Sequence, residues 1–449
     1  MLSTELAKRE DEGNPIRVGI IGAGKFGSGL AAQLMQTPGI SASVVADIDI
    51  ARALYAYTAG GVPESEIATA DSSDAINDAL LAGRPAVTAD ALALAQADLV
   101  DVVVEATGLP NVGARTAYHA IMHGKHVVMV NVEADVVVGP ILRRLADAAG
   151  VIYSLVDGDQ PGVTMNLVEW ARTLGFEIVA AGRGTTLYHD DPQGTPESVA
   201  ERFGFDAETL TRRCINLRMF NSFRDGTKAQ TEMTALANMA GLVPDVRGMH
   251  EPSVNIADIP QRFSLRDEGG LLSQHGVVEL ANSVAEDGAT LLDDPLKMGV
   301  FVVIRAEHPF IREDLGEYFL HPNSNDHNFL LYRPYHLVAV EAPITIAKAV
   351  IYGHATGAPM PTPTAELVTV AKRDLEPGDI IDGGGGTTVL GSCEKATVAN
   401  AQRLLPLGVA YGARLREPAP QGETLTYDMV DLDEDGFALK LRRMQDATL

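Results

Sequence analysis

Cysteine is scarce: there are two in 449 residues, Cys214 and Cys393, far apart and in no CxxC or Cys/His spacing. That excludes a disulfide framework and fits a reducing compartment. Basic residues are also few, 35 against 60 acidic, for a formal net charge of −25. Such a field repels polyanions, so a long nucleic-acid or anionic-membrane interface is excluded. A small phosphorylated ligand stays possible only where cations concentrate locally. No apolar run approaches the roughly 18 residues a membrane helix needs. The first fourteen residues are polar and charged with no apolar centre, so no signal peptide is expected and the expected location is cytoplasmic. The eleven histidines show no HExxH or paired-ligand spacing, and there is no GxSxG nucleophile motif. What remains is ordinary for a soluble globular chain, 46% hydrophobic and 21% charged, long enough for two to four domains.

The pattern predicts an α/β protein in three parts after a flexible arm, residues 1–14. Ile16 to Ile21 is a fully apolar strand ending at a glycine cluster, followed by a helix with Phe26, Leu30 and Leu34 on one face. Further β-branched strands are expected at Ser43–Ala46, Leu99–Glu105, His126–Val130 and Val151–Val156. Strands alternating with helices imply right-handed crossovers and a doubly wound parallel sheet over residues 15–156. Residues 157–358 should form a second α/β domain, with strands at Val300–Ile304 and His336–Val340. The Pro359-Met360-Pro361-Thr362-Pro363 link reads as a stiff boundary. Beyond it, residues 363–449 should be a small β-rich module, with a strand at Glu366–Ala371 and four glycines at Gly383–Gly386.

Gly22, Gly24 and Gly27 form a GxGxxG sequence, Gly22-Ala23-Gly24-Lys25-Phe26-Gly27, between strand and helix. The first glycine permits a tight turn, the second lets backbone approach a pyrophosphate, and the third lets helix and strand pack closely. Ala106, Thr107 and Gly108 end another strand at the same carboxyl edge. A dinucleotide site is expected there. Asp47 would accept from a ribose 2′-hydroxyl and repel a 2′-phosphate, which favours NAD. Arg52 could instead clamp that phosphate, which favours NADP; an ordinary surface arginine is the competing reading.

Residues 212–228 carry Arg212, Arg213, Arg218, Arg224 and Lys228 against one acid, Asp225. This is either a phosphate or carboxylate site or a solvated helix face. Thr227 reads as the N-cap of a helix through Asn238, with Lys228 and Glu232 as i,i+4 neighbours. The pair is either a surface ion pair or part of a catalytic or substrate site. Asp157 and Asp159 leave a strand at the cofactor edge, as ligands for Mg²⁺ or Mn²⁺ or simply as turn formers. His336, in Arg333-Pro334-Tyr335-His336, is the histidine best placed for a role.

The first domain resembles homoserine dehydrogenases and sugar oxidoreductases in IRVGIIGAGKFG, VVVEATG and GKHVVMVNVEAD. The sugar enzymes carry a catalytic lysine after that last strand; this chain has Asn131-Val132-Glu133-Ala134 instead. ELVTVAKRDLEPGDIIDGGGGTTVL resembles a SAF module. With RDGTKAQTEM between them, the arrangement resembles the DRL proteins, the second type of 1-deoxy-D-xylulose 5-phosphate (DXP) reductoisomerase. The resemblance implies conversion of DXP to 2-C-methyl-D-erythritol 4-phosphate in an isoprenoid-precursor route, with NADPH and Mg²⁺ or Mn²⁺ as cofactors. On that basis Asp157, Asp159 and Glu232 would supply a metal shell, and Lys228 would hold or protonate a substrate oxygen. Arg224, Thr227, Arg333 and His336 would contact the phosphorylated sugar, and a homo-oligomer is expected. The alternatives are a plain dehydrogenase of homoserine or a sugar acid, and a nucleotide-sensing or carbohydrate-binding regulatory protein.

Overall fold

The structure is a computed structural model describing residues 1–206, 209–210 and 215–448. Arg212, Arg213 and Cys214 therefore lie outside the described residues. Contacts divide the chain into two compact units. The first comprises Met1–Asp159, Leu337–Pro361 and Asp435–Leu449, the second Gln160–His336 and Thr362–Glu434.

The first unit is built on β1 (Ile16–Ile21), β2 (Ile40–Ala46), β3 (Ala68–Thr69), β4 (Ala86–Thr88), β5 (Val102–Glu105), β6 (His126–Met129) and β7 (Tyr153–Leu155). They form one parallel sheet in the order β3-β4-β2-β1-β5-β6-β7. Both faces are covered, which is why these strands read as unbroken apolar runs. Order reverses beside β1, so the carboxyl ends of β1 and β5 flank a crevice where such sheets bind ligands.

Two expectations fail here. Leu2–Asp11 is an α-helix, not a loose arm: Leu2 and Leu6 pack against the core and Glu10 accepts from the Gly39 amide at 2.8 Å. His336–Val340 is a turn, not a strand. Ala339 has φ 69°, in the left-handed region, and its buried methyl packs in the core of this unit. The apolar neighbours that suggested a strand, Leu337, Val338 and Val340, stay exposed.

The second unit has a five-stranded mixed sheet, β12-β11-β8-β10-β9. Its strands are β8 (Glu177–Thr185), β9 (Val243–Pro244), β10 (Val277–Asn282), β11 (Val300–Arg305) and β12 (Asn328–Arg333). Two antiparallel pairs follow, β13 (Ala365–Ala371) with β14 (Val389–Lys395), and β15 (Arg414–Leu415) with β16 (Val430–Asp431). The helix Thr227–Ala240 is buried along its whole length between the five-stranded sheet and the β13–β14 pair. Its buried threonines, Thr231 and Thr234, return their hydroxyls to carbonyls four residues back, at 2.8 Å each.

Side chains on that helix reach the backbone of the β-rich segment. Gln230 Oε1 accepts from Cys393 N, and Asn238 Oδ1 accepts from Thr364 N and Ala365 N, all at 2.9 Å. The four-glycine run serves close approach: a Cβ on Gly385 would lie 2.2 Å from the Arg218 carbonyl oxygen. Lys372 and Asp225 form a fully interior ion pair at 2.6 Å beside it. Among the described residues no helix is long and apolar enough to cross a membrane.

Candidate functional site

In the first unit the glycine motif folds as its spacing requires. Gly22 turns the chain at φ 99°, and any Cβ there would strike the Ala106 carbonyl. A Cβ on Gly27 would fall 1.9 Å from the Gly22 oxygen, so helix and strand are in direct contact. Gly24 differs. A Cβ there would meet nothing within 4 Å, so protein packing does not demand glycine at that position. Open space above the N-terminus of the helix Lys25–Leu34 is what a pyrophosphate needs. Lys25 is exposed at that end and Phe26 packs against the core.

Asp47 lies at the tip of β2, where Oδ2 accepts from Ala23 N at 2.8 Å and Oδ1 from Asp49 N at 2.9 Å. Its carboxylate is thereby fixed beside the motif, at the strand end where such folds meet the ribose hydroxyls. Arg52 pairs with Asp49 at 3.5 Å, both more than half exposed. The residues fit a dinucleotide, and the neighbourhood of Asp47 fits one without a 2′-phosphate.

At the end of β5, buried Glu105 accepts from Thr107 N at 3.2 Å and from its hydroxyl at 2.5 Å. Burial pushes its carboxyl up to about 7. Asn131, at the position of the sugar enzymes' motif, donates to Thr107 Oγ1 and Leu109 O. It also caps the helix Val132–Ala149 through Ala134 N. The strand end is held by a neutral amide where those enzymes place a cation.

Asp157 is an anchor. Its Oδ2 accepts from Thr356 Oγ1 at 2.6 Å, Lys348 Nζ at 3.1 Å and Thr345 Oγ1 at 3.2 Å. A carboxylate oxygen surrounded by three donors is poorly disposed toward a metal ion. Asp159 is buried nearby in sequence. Among the described residues no three His, Cys, Asp or Glu side chains gather as a set that could hold one ion, so the expected Mg²⁺ or Mn²⁺ site gains no support there.

In the second unit, Gly226 rather than Thr227 is the N-cap of the helix carrying Lys228 and Glu232. Gly226 takes φ 86°, a conformation that threonine resists. Thr227 instead sits 3% exposed, its hydroxyl accepting from Gly391 N at 3.2 Å, so it is a packing contact. The Lys228–Glu232 spacing holds, but neither residue is on the surface. Glu232 is fully buried and its carboxylate pairs with Arg183 of β8, while Lys228 is 7% exposed with Nζ 6.0 Å from the Phe223 ring centre. Glu232 Oε1 is buried and has no hydrogen-bond partner.

Arg183 also approaches Met298, whose carbonyl accepts from His336 Nδ1 at 2.9 Å. Gln160 donates to the same carbonyl at 3.5 Å. Arg183, Glu232, Met298 and His336 thus form one connected set. Arg333, at the end of β12, stacks its guanidinium 4.4 Å from the Tyr335 ring centre. The predicted basic window disperses: Arg218 donates to Gly384 O at 3.0 Å, and Arg224 pairs with Asp191 at 2.6 Å.

Sequence reasoning missed Arg183 and the loop Gly248-Met249-His250-Glu251. A single arginine within AAGRGTT, an otherwise small and apolar strand, was the available signal. In the loop, Gly248, Met249 and Glu251 take φ 77°, 66° and 46°. Met249 and Glu251, two non-glycine residues in the left-handed region on either side of His250, hold backbone strain, which collects at functional sites. Fully buried Glu279 holds the loop, accepting from His250 N at 3.0 Å and from its Nδ1 at 2.6 Å. That bond draws the imidazole pKa upward. Glu251 accepts from Thr185 Oγ1 at 2.6 Å, and burial raises its carboxyl to about 7. Arg183 and Thr185, two apart on β8, direct both acids toward one face of the sheet.

Residues 22–155 match the model of the homoserine dehydrogenase NAD-binding domain, and residues 158–342 that of the oxidoreductase DRL catalytic domain. No curated protein is significantly similar to the chain. Among solved structures, an NAD-binding oxidoreductase from Klebsiella pneumoniae is 19% identical, over 40% of this chain and 45% of its own, with a TM-score of 0.30. The chain thus spans less than half the length of that protein. A probable dehydrogenase from Thermotoga maritima is 12% identical over 76% of this chain and 90% of its own, TM-score 0.37. A DOX-P reductoisomerase solved with magnesium is 14% identical over 46% and 56%, TM-score 0.30. The two domain matches follow one another along the chain, a homoserine-dehydrogenase-type NAD-binding domain and then a DRL-type catalytic domain, and together they support an oxidoreductase-type enzyme in general.

Proposed function

We propose that the chain is a nicotinamide-dependent oxidoreductase of small phosphorylated sugars, and that its reaction is the reductive isomerisation of DXP to 2-C-methyl-D-erythritol 4-phosphate. The observation that carries this reading is the DRL catalytic-domain match over residues 158–342, which includes Lys228 and Glu232, behind a dinucleotide cradle. Rearranging the carbon skeleton needs a proton shuttle and shelter from water, followed by hydride delivery before the aldehyde escapes. Lys228, nearly buried at the start of its helix, is suited to protonate or hold a substrate oxygen. The sequence resemblance implies NADPH as reductant, cytoplasmic location and a homo-oligomer, with residues 363–449 as a SAF-like module. No step is assigned to a resident metal ion, because among the described residues no cluster of three possible ligands supports one.

A second reading is favoured by Asp47. Its carboxylate, fixed on Ala23 N and Asp49 N, suits a cofactor without a 2′-phosphate and therefore an NAD-dependent dehydrogenase of homoserine or a sugar acid. One assay separates the two: DXP, homoserine and sugar acids are supplied in parallel with NADPH or NADH. DXP-dependent NADPH oxidation yielding a branched tetrol phosphate supports the first. Turnover of homoserine or a sugar acid with DXP inert transfers the assignment to the second.

A further inference from the structure

A cavity of about 650 Å³ opens in the second unit, lined among others by Tyr188, Asp191, Ser198, Arg202 and Arg224. The volume is within the range of small-molecule sites. At its base Asp191, with a side chain 2% exposed, is shared by two guanidinium groups. Oδ1 accepts from Arg202 Nη1 and Oδ2 from Arg224 Nη2, each at 2.6 Å, and Tyr188 N donates to Oδ2 at 2.9 Å. The Arg202 carbon Cζ lies 5.3 Å from the Tyr188 ring centre and 5.9 Å from that of Phe203; Arg224 lies 5.6 Å from both. Two planar cations are therefore held between two aromatic rings by one carboxylate.

Among the described residues the charges on the lining do not cancel. One buried carboxylate faces two guanidinium groups. The other acid on the lining, Asp190, is 94% exposed and hydrogen-bonded to His189 at 2.8 Å, where water screens it. Donors are in excess too. Each guanidinium carries five N–H groups, and Arg224 Nε is buried without a hydrogen-bond partner. A buried unmatched donor beside a cavity costs free energy that an incoming acceptor recovers. Arg224 also precedes Lys228 by four residues, so their Cα atoms lie within about 14 Å of one another.

We propose that this cavity is an oxyanion pocket that takes the phosphate or carboxylate terminus of the substrate, with Arg202 and Arg224 as donors and Asp191 holding both in place. The pocket's ligand chemistry stands on the arginines alone; its assignment to substrate rests on the function proposed above.

The test titrates the full-length protein with inorganic phosphate, read by broadening of the ³¹P signal, and repeats the titration with acetate as competitor. Phosphate should bind, and Arg202→Gln should weaken it at least about fivefold without changing the melting temperature, since Arg202 is half exposed. Displacement by equimolar acetate identifies a carboxylate terminus; resistance to acetate identifies a phosphate. Phosphate binding that is absent, or equal in wild type, Arg202→Gln and a folded Arg224→Gln, overturns the proposal. Arg202→Gln turning over DXP at the wild-type KM overturns the substrate assignment and leaves the reductoisomerase reading intact. Arginine-dependent phosphate binding in a protein inert toward DXP overturns only that reading.

Discussion

Arg183 of β8 and Glu232 of the buried helix meet as an interior ion pair, with side chains 4% and 0% exposed. Removing one partner leaves the other charge buried and unmatched, a loss of about 3–5 kcal/mol, whereas exchanging both for apolar residues of similar size is often neutral. Glu232→Ala should therefore lower the denaturation midpoint sharply, and Arg183→Met with Glu232→Leu should recover most of it. Urea unfolding of the three variants measures this. A double variant as unstable as the single one would mean the pair does more than neutralise itself.

Lys228→Ala should lower kcat by on the order of 10²-fold or more, the scale of losing an acid–base group. A fall in kcat on DXP with little change in KM is the expected result in steady-state assays. Unchanged kcat would remove Lys228 from the chemistry.

Gly24→Val should abolish dinucleotide binding while leaving the melting temperature near wild type, because a Cβ there meets no protein atom within 4 Å. Gly27→Ala is the contrast: its Cβ collides with the Gly22 carbonyl and should cost stability as well as affinity. Calorimetric titration with NADH and NADPH beside thermal melts separates the two outcomes.

Asp47→Ser should raise the NADPH-to-NADH preference on the order of tenfold, by removing a carboxylate next to the 2′ position. Arg52→Ala should change it little, since Arg52 is engaged by Asp49 on the surface. If Arg52→Ala selectively destroys NADPH use, the arginine leaves Asp49 to clamp the phosphate.

Stability should fall as pH rises from about 4.5 to about 7. Burial raises Glu105 and Asp135 in the folded chain to about 7, above their ordinary carboxyl values. Across that interval the folded state binds more protons than the unfolded one, so unfolding free energy decreases with pH. The stabilisation is complete below the unfolded pKa and gone above the folded one. Each group contributes on the order of 3–4 kcal/mol. Glu105→Gln should flatten this pH dependence in urea midpoints measured between pH 5 and 8.

Much of the first unit was legible because local pattern and final environment agree there. Parallel strands buried on both faces must be continuously apolar, and a glycine triplet between strand and helix has few uses other than a phosphate turn. Ile16–Ile21 and the three glycines needed nothing from the rest of the chain to be recognised. The N-terminal helix was hidden because little more than Leu2, Leu6 and the Glu10–Gly39 hydrogen bond ties it down, and a polar segment carries no sign of the surface it will cover.

Pairing of charges was decided in three dimensions. Lys228 and Glu232 are helix neighbours by spacing, yet Arg183, 49 residues earlier, takes the Glu232 carboxylate because β8 lies against that helix. Asp157 looks like a metal ligand until Thr345, Lys348 and Thr356, nearly 200 residues later, surround it with donors. Residues clustered in sequence, Arg218 and Arg224, separate to Gly384 and Asp191. The amino-acid sequence by itself determined the strand order's apolar scaffold and the dinucleotide turn, which depend on short-range geometry. Tertiary structure alone decided which buried charges face each other, because a desolvated ion takes whatever partner folding brings within reach.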